Sequence, residues 1–84
     1  MNIALIAHDN KKADMVAFVS KRLNFFNRED IKIITTGTTG KHVKHAGIKN
    51  IEKVASGPYG GDAQIAAKVT VKEIDLVIFL RDPL

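Results

Sequence analysis

The sequence has no cysteine. That removes a disulfide framework and any thiolate nucleophile or metal ligand, so its chemistry must rest on carboxylates, imidazoles, lysines, hydroxyls and backbone amides. It also lacks a long apolar run. No stretch approaches the roughly 18 apolar residues that a membrane helix needs. The amino-terminal run MNIALIA is stopped by charge at Asp9, too early for a secretory signal. There is no low-complexity segment, and 45% apolar residues are enough to build a core, so disorder is excluded. A soluble protein in the cytoplasm, with no membrane partner, is expected. Its 84 residues allow a single domain spanning 1–84, with the narrow stability margin of a small core.

What is present is basic: a net charge of +4 and a pI near 9.6 suit an anionic partner. The lysines and arginines are spread along the chain, and the phenylalanines lie mostly in apolar runs. Clustered cations interleaved with aromatics would favour nucleic acid. Their dispersal favours a small phosphorylated molecule, and no nucleic-acid partner is expected.

The densest chemistry lies in Ser56-Gly57-Pro58-Tyr59-Gly60-Gly61-Asp62. Three glycines permit close backbone approach by a ligand, and Pro58 stiffens the turn. Loop amides that lead into a helix can hold an anion. Asp62 then either caps that helix, as aspartate commonly does, or serves as a base on an anionic substrate.

Around this stretch the chain alternates between two periods. Asn2–Ala7 is almost continuously apolar and reads as a strand buried on both faces. From Lys11 to Asn24, Val16, Val19, Leu23 and Phe26 mark the apolar face of a helix. Lys11 and Lys12 sit in its first turn, against the macrodipole. Either they share a bound anion or they form a solvated pair. Ile31–Thr36 is a second strand, and Thr36-Gly37-Thr38-Thr39-Gly40-Lys41 opens a short helix that Gly47 closes. This is not the P-loop pattern, which needs glycine where Thr35 stands. Its hydroxyls and amides can still hold phosphate, although glycine–threonine turns are also ordinary connections. His42 and His45 lie among Lys41 and Lys44 without a third ligand at a recognisable spacing, which reads as a solvated basic face and no metal site. Asn50–Ala55 is a half-polar edge strand, 62–72 a helix, and Asp75–Leu80 an apolar strand that ends the series.

The order β-α-β-α-β-α-β predicts an α/β fold, a three-layer open parallel sheet with right-handed crossovers. Ligands of such sheets bind outside the carboxyl ends of the strands. His8 and Asp9, the Thr36–Gly40 segment, Ser56–Asp62 and Asp82 each follow a strand end, so one pocket is expected to gather them. The last strand is apolar with no following element to cover it, which predicts a partner subunit on that edge or a chain that stops early.

Assembled in this order, Ala7-His8-Asp9 with Lys12, Thr36-Gly37-Thr38-Thr39-Gly40, Ser56 to Asp62 and Asp82-Pro83-Leu84 resemble the methylglyoxal synthase family. The resemblance implies a flavodoxin- or Rossmann-like methylglyoxal synthase fold lacking its last strand and helix, because the family continues past Asp-Pro-Leu with a segment that carries a further catalytic histidine. It implies a carbon–oxygen lyase that eliminates phosphate from dihydroxyacetone phosphate through an enediolate, giving methylglyoxal in a bypass of glycolysis. Asp62 matches the catalytic base. His8, Lys12, Thr36, Gly37, Thr38, Thr39, Ser56 and Gly57 match substrate-holding positions, with Asp9 and Asp82 as supporting carboxylates. The resemblance implies no metal or organic cofactor, and assembly as a homohexamer. The alternative carried by the same fold is a non-catalytic, effector-binding regulatory domain like that of carbamoyl phosphate synthetase, or an inactive fragment that needs the missing part.

Overall fold

A computed structural model describes residues 1–54 and 73–81. The described elements are β1 (Asn2–Ala7), a 3-10 turn at Asp9–Lys11, α1 (Lys12–Ser20), α2 (Leu23–Phe26), β2 (Lys32–Thr36), α3 (Gly37–Ala46), β3 (Ile51–Val54) and β4 (Leu76–Leu80). The strands make one sheet in the order β3-β2-β1-β4, and all three pairings are parallel. The predicted α/β class and parallel sheet are therefore present. The predicted helix at 62–72 lies outside the described residues.

β1 occupies the centre because its residues are apolar on both sides. Ile3, Leu5 and Ala7 point to one face, where they pack with Met15, Val19, Phe26, Ile33 and Val43 from α1, α2, β2 and α3. Ala4 and Ile6 point to the other face, where they meet Ile34 and Ile74. Burying each such Leu or Ile side chain stabilises by about 1.5–3 kcal/mol. Among the described residues β3, with Glu52 and Lys53, is an edge strand, and the Lys32 ammonium pairs with Glu52 across the β2–β3 ladder at 3.3 Å.

Two expectations need correction. The single helix foreseen over 11–24 is two helices, α1 and α2, joined through Lys21 and Arg22. Arg22 folds back: its guanidinium donates to the Phe18 carbonyl at 2.9 Å and lies 4.2 Å from the Phe18 ring centroid. That carbonyl would otherwise receive the next helical amide. The Arg22 amide instead bonds three residues back to Val19, tightening and ending the helix. In addition, the 3-10 turn before Lys12 sets the phase of α1 so that Met15 joins Val19 in the core, while Val16 is only half-buried.

α3 starts directly at Gly37, so Thr38 and Thr39 belong to its first turn and not to a loop. Gly47 closes it at φ 117°, the left-handed cap that the sequence predicted. A Cβ on Gly40 would overlap Thr35 Oγ1, so the absence of a side chain there is what lets α3 lie close on β2.

Candidate active site

The order β3-β2-β1-β4 reverses at β1: the chain steps from β1 to β2 to β3 on one side, and β4 joins on the other. The crevice at such a reversal, beyond the carboxyl ends, is where open α/β sheets bind ligands. His8 stands there. Its backbone N–H donates to the Leu80 carbonyl at 3.1 Å, extending the β1–β4 ladder by one step. Its ring meets Phe79 edge to face, with centroids 5.2 Å apart and planes at 84°. The imidazole is thereby held over the junction of the two strands while remaining open to solvent.

Lys12 begins α1 and turns back toward the sheet. Its ammonium donates to the Ala7 carbonyl and to Asp9 Oδ1, both at 3.0 Å. Only 12% of this side chain is exposed. The conflict between Lys12 and the helix dipole is thus resolved by two internal acceptors, and a third N–H remains for a ligand. Lys11 lies 3.8 Å from Asp14, a loose surface pair. The hydrogen bond from Lys12, and then its charge, hold the Asp9 carboxyl below its ordinary range, against a small opposing effect of desolvation.

The carboxyl end of β2 lies beside that of β1, as the register Leu5↔Thr35 requires. Thr36 takes the N-cap position of α3 in extended backbone (φ −72°, ψ 160°), but its hydroxyl makes no capping bond to an amide. It donates instead to Thr39 Oγ1 at 3.3 Å. The first-turn amides of this ten-residue helix are left uncapped by that side chain, at the positive end of the macrodipole. Thr36 and Thr39 are buried, Gly37 is half-buried and Thr38 is exposed. Thr35 Oγ1 is buried with no hydrogen-bond partner among the described residues.

His8, Asp9 and Lys12 therefore stand at the carboxyl end of β1, and Thr36, Gly37, Thr38 and Thr39 at that of its neighbour β2. Ser56, Gly57, Asp62 and Asp82 lie outside the described residues. His42 Nδ1 lies 2.9 Å from the Thr38 carbonyl, its own helix supplying the partner. Among the described residues no group of three or more His, Asp or Glu is placed to hold a metal ion. Two features were not legible in the sequence: Phe79 as the ring that orients His8, and the Ala7 carbonyl as the anchor of Lys12. The first depends on the β1–β4 register, in which Ile6 faces Phe79, and the second on the 3-10 turn that brings the start of α1 back over the end of β1.

Residues 10–84 match the family model described as the MGS-like domain. The whole chain is 50% identical to methylglyoxal synthase from Carboxydothermus hydrogenoformans, covering 68% of that protein. It is 50% identical to methylglyoxal synthase from Bacillus subtilis, covering 60% of that one. In three dimensions the described fold is similar to the crystal structure of methylglyoxal synthase from Elizabethkingia anophelis, with a TM-score of 0.88 and 42% identity, over 99% of this chain and 53% of that one. The chain thus spans between about half and two thirds of the length of these relatives. A match over nearly the whole chain, a shared sheet and helix arrangement, and high identity to several relatives together make it a member of the methylglyoxal synthase (MGS-like) domain family.

Proposed function

We propose that this domain performs the methylglyoxal synthase reaction, eliminating phosphate from dihydroxyacetone phosphate without a metal or organic cofactor. The observation that carries this reading is the convergence of an anchored ammonium, an imidazole and an uncapped threonine-lined helix start on one rim. The relatives' names agree with it.

In this proposal the uncapped first turn of α3, with Thr36, Thr38 and Thr39, receives the substrate phosphate together with Lys12, Ser56 and Gly57. Binding through a phosphate remote from the reacting carbon supplies orientation. Asp62 removes a proton from the hydroxymethyl carbon beside the carbonyl. The electron pair passes to the carbonyl oxygen, making an enediolate, and positive charge and N–H donors facing that oxygen lower the barrier. His8 contacts the substrate on the β1–β4 side. The enediolate then expels phosphate from the carbon across the carbonyl, breaking its C–O bond. The enol left behind tautomerises to methylglyoxal. Asp9 acts on Lys12, which it holds in place, and Asp82 lines the site.

The test follows phosphate and methylglyoxal together after dihydroxyacetone phosphate is mixed with the purified chain. Equimolar release is expected. Asp62→Asn is expected to reduce turnover on the order of 10²–10⁴-fold, the usual contribution of a positioned base, while phosphate binding persists. Turnover that survives the substitution would remove Asp62 from the role of base. The second reading is an effector-binding domain of the same fold, or an enzyme that needs a further segment to turn over. It predicts no turnover, with phosphate binding that Lys12→Ala abolishes. Assembly into a homo-oligomer, a hexamer by analogy with the family, belongs to the same proposal. Its support is the apolar edge of β4, where Leu76, Val77 and Phe79 are exposed. Action in the cytoplasm is proposed on the same footing.

A further inference from the structure

The exposed side of α3 carries a second concentration of positive charge, away from its amino-terminal rim. Lys41, Lys44 and His45 follow one another at helical spacing, and Lys53 of β3 reaches toward them from the sheet edge. Among the described residues these four line one groove of about 440 Å³. The sequence places Lys53 eight residues beyond His45, so the cluster is invisible to a reading that sees the cations as dispersed. The arrangement is built by packing. Lys53 Cγ lies 3.0 Å from where a Cβ of Gly40 would stand, so the missing side chain of Gly40 makes room for the Lys53 stem to lie along α3.

The charges in this groove are unbalanced. The ion pairs among the described residues join Lys11 to Asp14, Lys12 to Asp9, Arg28 to Asp30 and Lys32 to Glu52. None involves Lys41, Lys44 or Lys53. Three ammonium groups around one concavity repel one another and raise the local concentration of anions. Among the described residues the lining holds no phenylalanine, tyrosine or tryptophan ring on which a base would stack, and the volume falls in the range of small-molecule sites. Residues 41 and 44 are one turn apart, about 5–6 Å between Cβ atoms, a span matched by the two terminal phosphates of a three-phosphate chain. A single phosphate would leave at least one ammonium unneutralised.

We propose that this groove is a binding site, separate from the rim, for a compact ligand bearing two or three linked phosphates, held by Lys41, Lys44 and Lys53 with His45 on its wall. Recognition is by charge, so the phosphate chain alone carries the affinity. The ligand touches the outer side of the same helix whose first turn forms the rim, so it is suited to an effector of that site and not to a substrate.

Inorganic tripolyphosphate serves as the probe, titrated calorimetrically into the full chain. One site is expected, weakening as salt rises. Lys41→Met and Lys53→Met, which keep most of the aliphatic stem and remove the charge, are each expected to weaken it about tenfold, the loss of one charge-assisted contact. Lys12→Met is expected to leave it unchanged while weakening orthophosphate at the rim, so failure of the groove and failure of the rim are read separately. Adenosine triphosphate is expected to bind no tighter than tripolyphosphate. The proposal is overturned if tripolyphosphate does not bind the unsubstituted chain. It is equally overturned if Lys12→Met abolishes that binding while the groove variants keep it, or if the nucleoside adds tenfold or more. A change in sedimentation of the groove variants without any ligand would make the patch an interface between copies, which also overturns it.

Discussion

β1 and β4, NIALIA and LVIFL, are neighbours and both almost wholly apolar, yet they are buried very differently. On the face away from α1, Ala4 pairs in register with Val77 and Ile6 with Phe79. Ala4 is 0% and Ile6 8% exposed, whereas Val77 is 40% and Phe79 41% exposed. The difference lies in position. β1 has strands on both sides and side-chain layers over both faces. Among the described residues β4 has a strand on one side only. A continuous apolar run therefore reports that a strand is meant to be covered, not that this chain covers it.

The largest expected difference between the two strands is energetic. Leu5→Ala, at a fully buried position, is expected to cost about 2–5 kcal/mol, because a cavity opens where packing is complete. That is a large share of the roughly 5–15 kcal/mol that holds a domain folded. Val77→Ala is expected to cost less than about 1 kcal/mol, in the manner of a surface substitution. Urea unfolding of both variants tests this. Equal losses would show that β4 is covered as fully as β1 in solution and would break the comparison.

A second prediction concerns what the edge is for. If copies of the chain cover β4, Val77→Lys and Phe79→Lys place charges in that contact, and sedimentation should shift toward the monomer. The unsubstituted chain is expected to sediment as an oligomer. A monomer before substitution would remove the edge as an assembly surface. A third prediction is smaller. Phe79→Ala removes the ring that His8 meets edge to face, an interaction worth about 0.5–1.5 kcal/mol beyond its burial. The His8 ring protons should lose the aromatic shielding in NMR spectra, and, on the proposed activity, KM for dihydroxyacetone phosphate should rise more than kcat falls, because the imidazole is then less well placed. An unchanged His8 spectrum would show that Phe79 does not hold it.

The same contrast explains what could be read before the fold was known. Strand faces are written in residue order, so Asn2–Ala7, the core of β2 and the apolar nature of β4 were legible, as was the close of α3 at Gly47. The placement of His8, Lys12 and Thr36–Thr39 at neighbouring strand ends was legible because glycines, hydroxyls and polar groups directly follow the strands of a parallel sheet. Contacts between separate segments were not legible. The break between α1 and α2 comes from Arg22 turning onto Phe18, with no proline or glycine to announce it. The shift from Val16 to Met15 follows from a 3-10 turn that sets the helix phase. Lys53 read as an ordinary edge-strand cation until β2–β3 pairing and the bare Gly40 brought it beside α3.

The smallest effect lies at the carboxyl end of β1, where Lys12 bonds to both Ala7 and Asp9. The Asp9 carboxyl is held low, first by that hydrogen bond and then by the ammonium charge. A carboxyl whose folded value lies below its unfolded value stabilises the fold above the unfolded value, and the stabilisation disappears as pH falls through the folded value. The pair is therefore fully effective at neutral pH and lost in acid. Asp9 is open to solvent, so screening keeps the contribution small. The sharper readout is the titration of Asp9 itself, followed by carboxyl-carbon NMR. In Lys12→Met the two largest causes vanish and only the weaker pull of His8 remains, so the Asp9 transition should move upward toward that of an isolated aspartate. In Asp9→Asn, Lys12 keeps the Ala7 carbonyl but loses its charged partner, so orthophosphate binding at the rim should weaken only modestly. If Asp9 titrates identically with and without the lysine, the pair does not form in solution, and the Ala7 carbonyl is the only one of the two anchors left to draw Lys12 to the rim.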